Sequence, residues 1–302
     1  MMKNAIVMLM GGLSGEREIS FLTGRACSKA LKKKGYKVIE LDAKGYFVEE
    51  LKRLKPKKIF NALHGHYGED GFVQSILESL KIPYTHSGVL ASSLAMDKEL
   101  SRIIFKKNNL KVPQYFSLHK DHKGNINRKI KFPVVIKPIN EGSSLGVYIC
   151  RNKVQLKSKF KKLTKKYDRV LIEKYIPGRE IHVAVMGKKA LGAIELVPKR
   201  EFYDYNAKYS SSAKTVHIMP APLPIKKYNE VLKIAKKAHK VIGCKGITRS
   251  DFRYFKNNFY LLEINTQPGM TNLSLVPEIA KFKGIKFEDL VDWMIKDASR
   301  KR

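Results

Sequence analysis

Near the C-terminal end of the chain, Asp251 is followed after eleven residues by Glu263 and then by Ile264-Asn265-Thr266-Gln267-Pro268-Gly269. The flanking segments Ser250–Phe255 (SDFRYF) and Phe259–Ile264 (FYLLEI) are rich in aromatic and β-branched residues, and Lys256-Asn257-Asn258 between them is a polar turn signal. This spacing predicts a β-hairpin. A three-residue loop centred on Asn257 sets Asp251 opposite Glu263, and strand alternation adds Asn265 and Arg249 to the same face. An even-length loop would instead set Asp251 against Ile264 and scatter the group. Three oxygen-bearing side chains on one face suit a hard cation such as Mg²⁺. Ordinary charges on a solvated hairpin face are the plain alternative.

A chain of 302 residues can hold two or three domains with a sizeable core, and 43% hydrophobic residues place it among globular proteins. The apolar run Ala5–Met10 stops at Gly11-Gly12, too short for a signal peptide or a span, and no later segment reaches the roughly 18 apolar residues a membrane helix needs. A cytoplasmic protein without membrane insertion is expected. Cys27, Cys150 and Cys244 form no CxxC pair and read as reduced structural thiols. Sixty basic against 27 acidic residues give a formal charge of +33, an excess that can mean nucleic-acid binding. The lysines, however, are spread over Lys32–Lys34, Lys55–Lys58, Lys157–Lys166 and Lys226–Lys240. The last two runs fit the solvent faces of amphipathic helices with apolar stripes Leu156, Phe160, Leu163 and Val231, Ile234, Ala235, Ala238. No specific nucleic-acid partner is expected; anionic small substrates are favoured by the surface charge.

Strand and helix alternate up to about residue 92: strands at Ala5–Met10, Tyr36–Asp42, Lys58–Leu63 and Pro83–Tyr84, helices at Ile19–Lys33, Val48–Leu54 and Gly71–Leu80. This is the pattern of a parallel α/β sheet. Residues 93–180 look α+β, with a single helix Leu94–Asn108, strands Val134–Lys137 and Val147–Cys150 around a Gly/Ser loop, helix Leu156–Lys165 and strand Val170–Glu173. Residues 181–302 hold strands at Ile181–Met186 and Ala190–Leu196, a Tyr-rich segment, helix Ile225–Ile242, the hairpin, and closing helices at Leu273–Lys281 and Phe287–Ser299. Three domains, 1–92, 93–180 and 181–302, follow.

Four further segments bear chemistry. In Lys137-Pro138-Ile139-Asn140-Glu141-Gly142-Ser143-Ser144-Leu145-Gly146, backbone N–H groups and hydroxyls can wrap phosphates, with Lys137 as a point charge; it is not a Walker A loop, and alone it reads as a turn. Gly11-Gly12-Leu13-Ser14-Gly15-Glu16-Arg17-Glu18 follows the first strand, where ligands bind, but its glycines fail the dinucleotide spacing and its charges can be simple dipole compensation. Leu171–Glu180 (LIEKYIPGRE) is a strand followed by a linker that can pair with an adenine edge, with Glu180 placed for ribose hydroxyls. Phe202–Ser212 (FYDYNAKYSSS) is a candidate lid or a surface Ω-loop.

Taken in order, GGLSGEREIS, ALHGHYGEDG, YTHSGVLASSLAMDK, VVIKPINEGSSLGV, LIEKYIPGRE, FYDYNAKY, GCKGITRSDF and LLEINTQPGMTNLSLVP resemble the D-alanine–D-alanine ligase family of the ATP-grasp superfamily, from Gly11 to Trp293. The resemblance implies a three-domain ATP-grasp architecture with an N-terminal parallel α/β domain. It also implies ATP-dependent joining of two D-alanines through an acyl phosphate, for peptidoglycan. Residue by residue, it places Glu16 at the ammonium of the first D-alanine, linked with Ser143 and Tyr209, and His64 beside that substrate. Lys98, Lys137 and Ser144 fall to the ATP phosphates and Lys208 to the γ-phosphate; Glu173, Lys174 and Ile176 frame adenine, and Glu180 meets ribose. Asp251, Glu263 and Asn265 hold Mg²⁺, two ions in the family, with Mn²⁺ an alternative. Arg249 and the Gly269 N–H serve the oxyanion, and Ser274 and Leu275 receive the second D-alanine. A homodimer is implied. A D-alanine–D-lactate ligase lacks the tyrosine at Tyr209, so the intact YDYNAKY favours an amine nucleophile; another carboxylate–amine ligase of the superfamily is the wider alternative. Family members often carry an aliphatic residue where this chain has Ser250, and His66 is given no role.

Overall fold

The computed structural model describes residues 5–123, 126, 131–197, 215–271 and 273–302. Three sheets organise them. The first is parallel, with β1 (Ile6–Met10) between β2 (Val38–Asp42) and β3 (Lys58–Asn61). All five residues of β1 are buried because both faces are covered, as parallel sheets require. Ile6, Met8 and Met10 meet α1 (Arg17–Lys33), while Val7 and Leu9 meet α2 (Phe47–Leu54) and α3 (Phe72–Ser79). Pro83–Tyr84 contributes a bridge, Ile59 to Tyr84, rather than a strand.

The expected single helix over Leu94–Asn108 is two: α4 (Val89–Met96) and α5 (Lys98–Lys107). Asp97 sits between them in an extended conformation, and its carboxylate accepts from the N–H groups of Glu99 and Leu100, both at 2.9 Å. An aspartate N-cap thus outcompetes helix continuation. The expected domain cut at 92/93 falls inside α4, and both helices pack through Ala91, Ala95 and Phe105 into the core of the largest sheet.

The second sheet is antiparallel, in the order β4 (Tyr115–His119), β7 (Arg169–Lys174), β5 (Val134–Pro138), β6 (Tyr148–Cys150), and is backed by α6 (Lys153–Leu163) through Leu156 and Leu163. The third is antiparallel, in the order β10 (Val216–Ile218), β9 (Lys189–Val197), β8 (Arg179–Met186), β11 (Ile247–Phe255), β12 (Asn258–Asn265). One face takes α7 (Ile225–Ile242), whose Val231, Ala235, Ala238 and Ile242 recur at helical spacing. The other face takes α8 (Leu275–Phe282) and α9 (Phe287–Asp297), which also join the core of α1 and the first sheet. The end of the chain therefore ties the N-terminal sheet to the hairpin sheet. Strands β4 and β10 were not expected from sequence; both lie at sheet edges, where alternation is weakly marked.

Candidate active site

The hairpin forms with Asp251 opposite Glu263 and Arg249 opposite Asn265, by a different route from the one expected. Phe255 pairs with Asn258, so the turn has two residues, Lys256 and Asn257, both at positive φ (46° and 60°) as in a type I′ turn. Carried straight up the ladder, that register would oppose Asp251 to Leu262. A β-bulge between Asp251 and Phe252 leaves Leu262 unpaired and advances the register by one residue. Leu261 and Ile264 face the core while Glu263 turns to the cleft. Ser250, where relatives often carry an aliphatic residue, is fully buried on the core side.

Asp251 is buried. It accepts from Arg249 Nε at 2.7 Å and Nη2 at 2.8 Å, and meets His182 Nδ1 at 2.7 Å. Burial disfavours its charge, but the Arg249 and His182 charges outweigh that and hold the carboxyl well below the usual range. His182 also reaches Glu180 at 3.1 Å, and the two carboxylates raise the imidazole above its ordinary value against the opposing effect of burial. Glu263 lies 3.7 Å from Lys98 Nζ. Among the described residues no group of three His, Cys, Asp or Glu is arranged to hold a metal ion. Two carboxylates and one amide oxygen, with cations now gathered round the carboxylates, form an open oxygen set. That fits Mg²⁺, which keeps waters and phosphate oxygens as its other ligands.

A cleft opens above this face. One side is lined by Lys98, Val135, Lys137, Ser144, Val147, Glu173, Lys174, Tyr175, Ile176, Glu180, Asp251, Arg253 and Glu263. Every residue expected around ATP that the structure describes is therefore on one wall. Lys137 and Glu173 are buried and paired at 2.9 Å, and Arg102 pairs with the other Glu173 oxygen. Burial would raise Glu173, but the two cations hold it below its ordinary range; burial pulls Lys137 down, partly offset by Glu173. The triad leaves an uncompensated positive charge beside the cleft, suited to phosphate.

The adjoining side is lined by Glu16, His64, Glu69, Met96, Lys98, Gly142, Ser143, Arg249, Glu263, Asn265 and Gly269. Glu16 occupies the N-cap position of α1 but makes no cap. It is buried and accepts instead from the Ser143 hydroxyl, which decides against simple helix capping. Ser14 does the local bracing: its hydroxyl donates to the His64 carbonyl at 2.5 Å and accepts from the Glu16 N–H at 3.1 Å. His64 is fixed between Glu69 (2.9 Å) and Thr23 (3.0 Å). Gly65, at φ +71°, lets the chain pass so close that a Cβ would stand 2.7 Å from the Glu16 carboxylate.

Ser143 and Ser144 both have positive φ (50° and 60°), strain of the kind stored at functional loops. Lys98 donates to the Glu141 carbonyl, and its own N–H reaches the Ile139 carbonyl at 3.3 Å, so the α5 N-terminus holds the Gly/Ser loop. Ser274 occupies the N-cap position of α8 beside Gly269, makes no side-chain cap, and accepts from the Thr271 N–H at 2.9 Å. The Leu275 side chain is buried in the core, leaving only its backbone for a ligand. Lys208 and Tyr209 lie outside the described residues. Sequence reasoning missed Arg102, His182 and Glu69. Arg102 was signalled by its place one turn after Lys98 on the same helix face.

Two antiparallel sheets closing over a cleft lined by buried lysines and an oxygen-bearing hairpin define an ATP-grasp enzyme. The structure matches a crystal structure of the D-alanine–D-alanine ligase from Bacillus anthracis complexed with ATP, with a TM-score of 0.86 and 32% identity over 97% of this chain and 96% of that one. Residues 104–296 match the family model described as D-ala D-ala ligase C-terminus. The chain is 56% identical to the D-alanine–D-alanine ligase of Pelagibacter ubique over 100% of both chains. It is 48% identical to that of Wolbachia pipientis wMel over 97% of this chain and 94% of the relative. The chain belongs to the D-alanine–D-alanine ligase family.

Proposed function

We propose that this chain joins two D-alanines into D-alanyl-D-alanine at the expense of ATP, for peptidoglycan synthesis in the cytoplasm. The observation that carries the reading is the seam between the two sides of the cleft. Lys98, Glu141 and Glu263 line both, so a carboxylate held near Glu16 lies next to phosphates held near Lys137.

A carboxylate is a poor electrophile with a poor leaving group. Transfer of the γ-phosphoryl group to a carboxylate oxygen of the first D-alanine, with ADP departing, corrects both defects. The amine of the second D-alanine then attacks the acyl carbon, gives up a proton, and inorganic phosphate leaves with the C–O electron pair. In this reading Glu16 binds the first ammonium, and its link to Ser143 couples that binding to loop position. His64 stands beside the same substrate with its ring orientation set by Glu69. Lys98, Lys137 and Ser144 receive the phosphates, with Lys208 and Tyr209 closing from the Tyr-rich segment. Backbone and side chains of Glu173, Lys174 and Ile176 frame adenine and Glu180 takes ribose. Asp251, Glu263 and Asn265 would hold Mg²⁺, two ions in our reading, whose chemistry is neutralisation of phosphate charge. Arg249 and the Gly269 N–H face the developing oxyanion, and Ser274 with the Leu275 N–H receives the second carboxylate at the α8 N-terminus. A homodimer is the proposed assembly.

The test is phosphate release from ATP that requires D-alanine and Mg²⁺, with the dipeptide identified by mass. Release that D-alanine fails to stimulate overturns the reading.

A further inference from the structure

We infer that Arg102 is a positioning residue that locks the metal hairpin and the phosphate-facing lysine into one frame. The inference rests on the reading of the cleft given above. Arg102 lies on α5 one turn after Lys98, is fully buried, and does not line the cleft. Its guanidinium spans two sheets. Nη2 donates to the Leu262 carbonyl at 3.1 Å, and Nη1 pairs with Glu173, whose other oxygen holds Lys137 at 2.9 Å.

Leu262 is the bulged residue. Without the bulge Asp251 would face Leu262; with it, Asp251 faces Glu263. Among the described residues β12 is the edge of its sheet, and no further strand pairs with its outer side. Arg102 and the following chain cover that edge, with the Lys111 carbonyl accepting from the Leu261 N–H at 2.8 Å. Arg102 therefore satisfies the carbonyl at the irregularity that builds the metal face. Across the interface, Glu173 pairs in register with Tyr115, and the guanidinium lies 5.4 Å from the Tyr115 ring centre. One side chain thus fixes Glu263 relative to Lys137, and only a forked cation can do it. An ammonium is a point donor; a guanidinium presents separate N–H groups to a carbonyl and a carboxylate.

The experiment compares Arg102→Met and Arg102→Lys with the wild type by calorimetric titration of ATP with Mg²⁺ in the absence of D-alanine, and by steady-state kinetics. For Arg102→Met the expected result is a dissociation constant and a KM for ATP raised about ten- to hundredfold, with the KM for the first D-alanine within about twofold. Arg102→Lys keeps the charge but not the fork, and is expected to show at least half of that effect on a logarithmic scale. If Arg102→Met does not fold, the lysine variant alone decides. ATP binding unchanged in a folded variant, or equal rises in both KM values, overturns the inference. Its failure is distinct from failure of the ligase reading, which the wild type reports through D-alanine-stimulated turnover.

Discussion

Two hairpins face each other across the cleft, and they are held by different forces. β11 and β12 pair at seven positions through a tight turn and one bulge. β5 and β6 pair at three, and the Gly/Ser loop between them is placed by side chains: Ser143 on Glu16, and Lys98 on the Glu141 carbonyl. The first arrangement sets distances between carboxylates through the backbone, suiting groups that must keep a fixed coordination geometry. The second relies on a few hydrogen bonds that can break and reform, which in the proposed reading suits a loop that admits and then covers a substrate.

The strongest way to break this contrast is Glu263→Gln. A carboxylate lost from a rigid hairpin has no neighbour able to move in, so turnover is expected to fall by about two to three orders of magnitude while thermal unfolding stays close to wild type. Equal loss of activity and stability would make Glu263 structural. Next in size is Glu16→Gln, which removes the charged acceptor of Ser143. A charge-assisted bond of about 1.5–3 kcal/mol predicts a ten- to hundredfold fall in kcat/KM for D-alanine, with ATP binding alone nearly unchanged. A matching loss of ATP affinity would show that the Glu16 anchor places the loop for ATP as well as for D-alanine.

Acid tests the packing behind β11, where His86 and His239 lie. Burial keeps His86 down at about 3 and His239 down at about 4, so the unfolded chain binds more protons than the folded one below the ordinary histidine value. Stability is therefore expected to fall as pH drops from about 6.5 towards these values, by up to roughly 1.4 kcal/mol per pH unit for each group. Denaturant titrations between pH 7.5 and 5 check the slope, and His86→Gln should flatten it; a variant with the wild-type slope would clear His86 of the effect. The smallest expected change is at Ser250, whose buried hydroxyl has no hydrogen-bond partner among the described residues. Ser250→Ala should leave activity intact and stabilise by about 1 kcal/mol, read as a higher Tm. A drop in activity would mean that the core side of the hairpin, and not the ladder alone, aligns Asp251.

Local signals carried much of this into view from the chain alone. Helix α7 runs from Ile225 to Ile242 as its periodicity predicts, and the motifs around Glu16, Lys137, Glu173 and Asp251 do converge on one cleft. Asp97 was misjudged because an N-cap inside an apolar stretch looks like helix until its side chain turns back on the next N–H groups. Arg102 was passed over because its spacing from Lys98 gives only its helix face, while its partners, Glu173 and the Leu262 carbonyl, come from two different sheets.

The sequence by itself determined which residues can ligate, pair and stack, and that Asp251 and Glu263 belong to one hairpin. Tertiary structure decided how they meet. A two-residue turn alone would have left Asp251 facing Leu262, and the bulge that corrects it has its carbonyl satisfied from α5. Side-chain alternation along a strand is a local property that residue order specifies. A bulge is set by what covers the strand edge, and that is known only once the elements have packed.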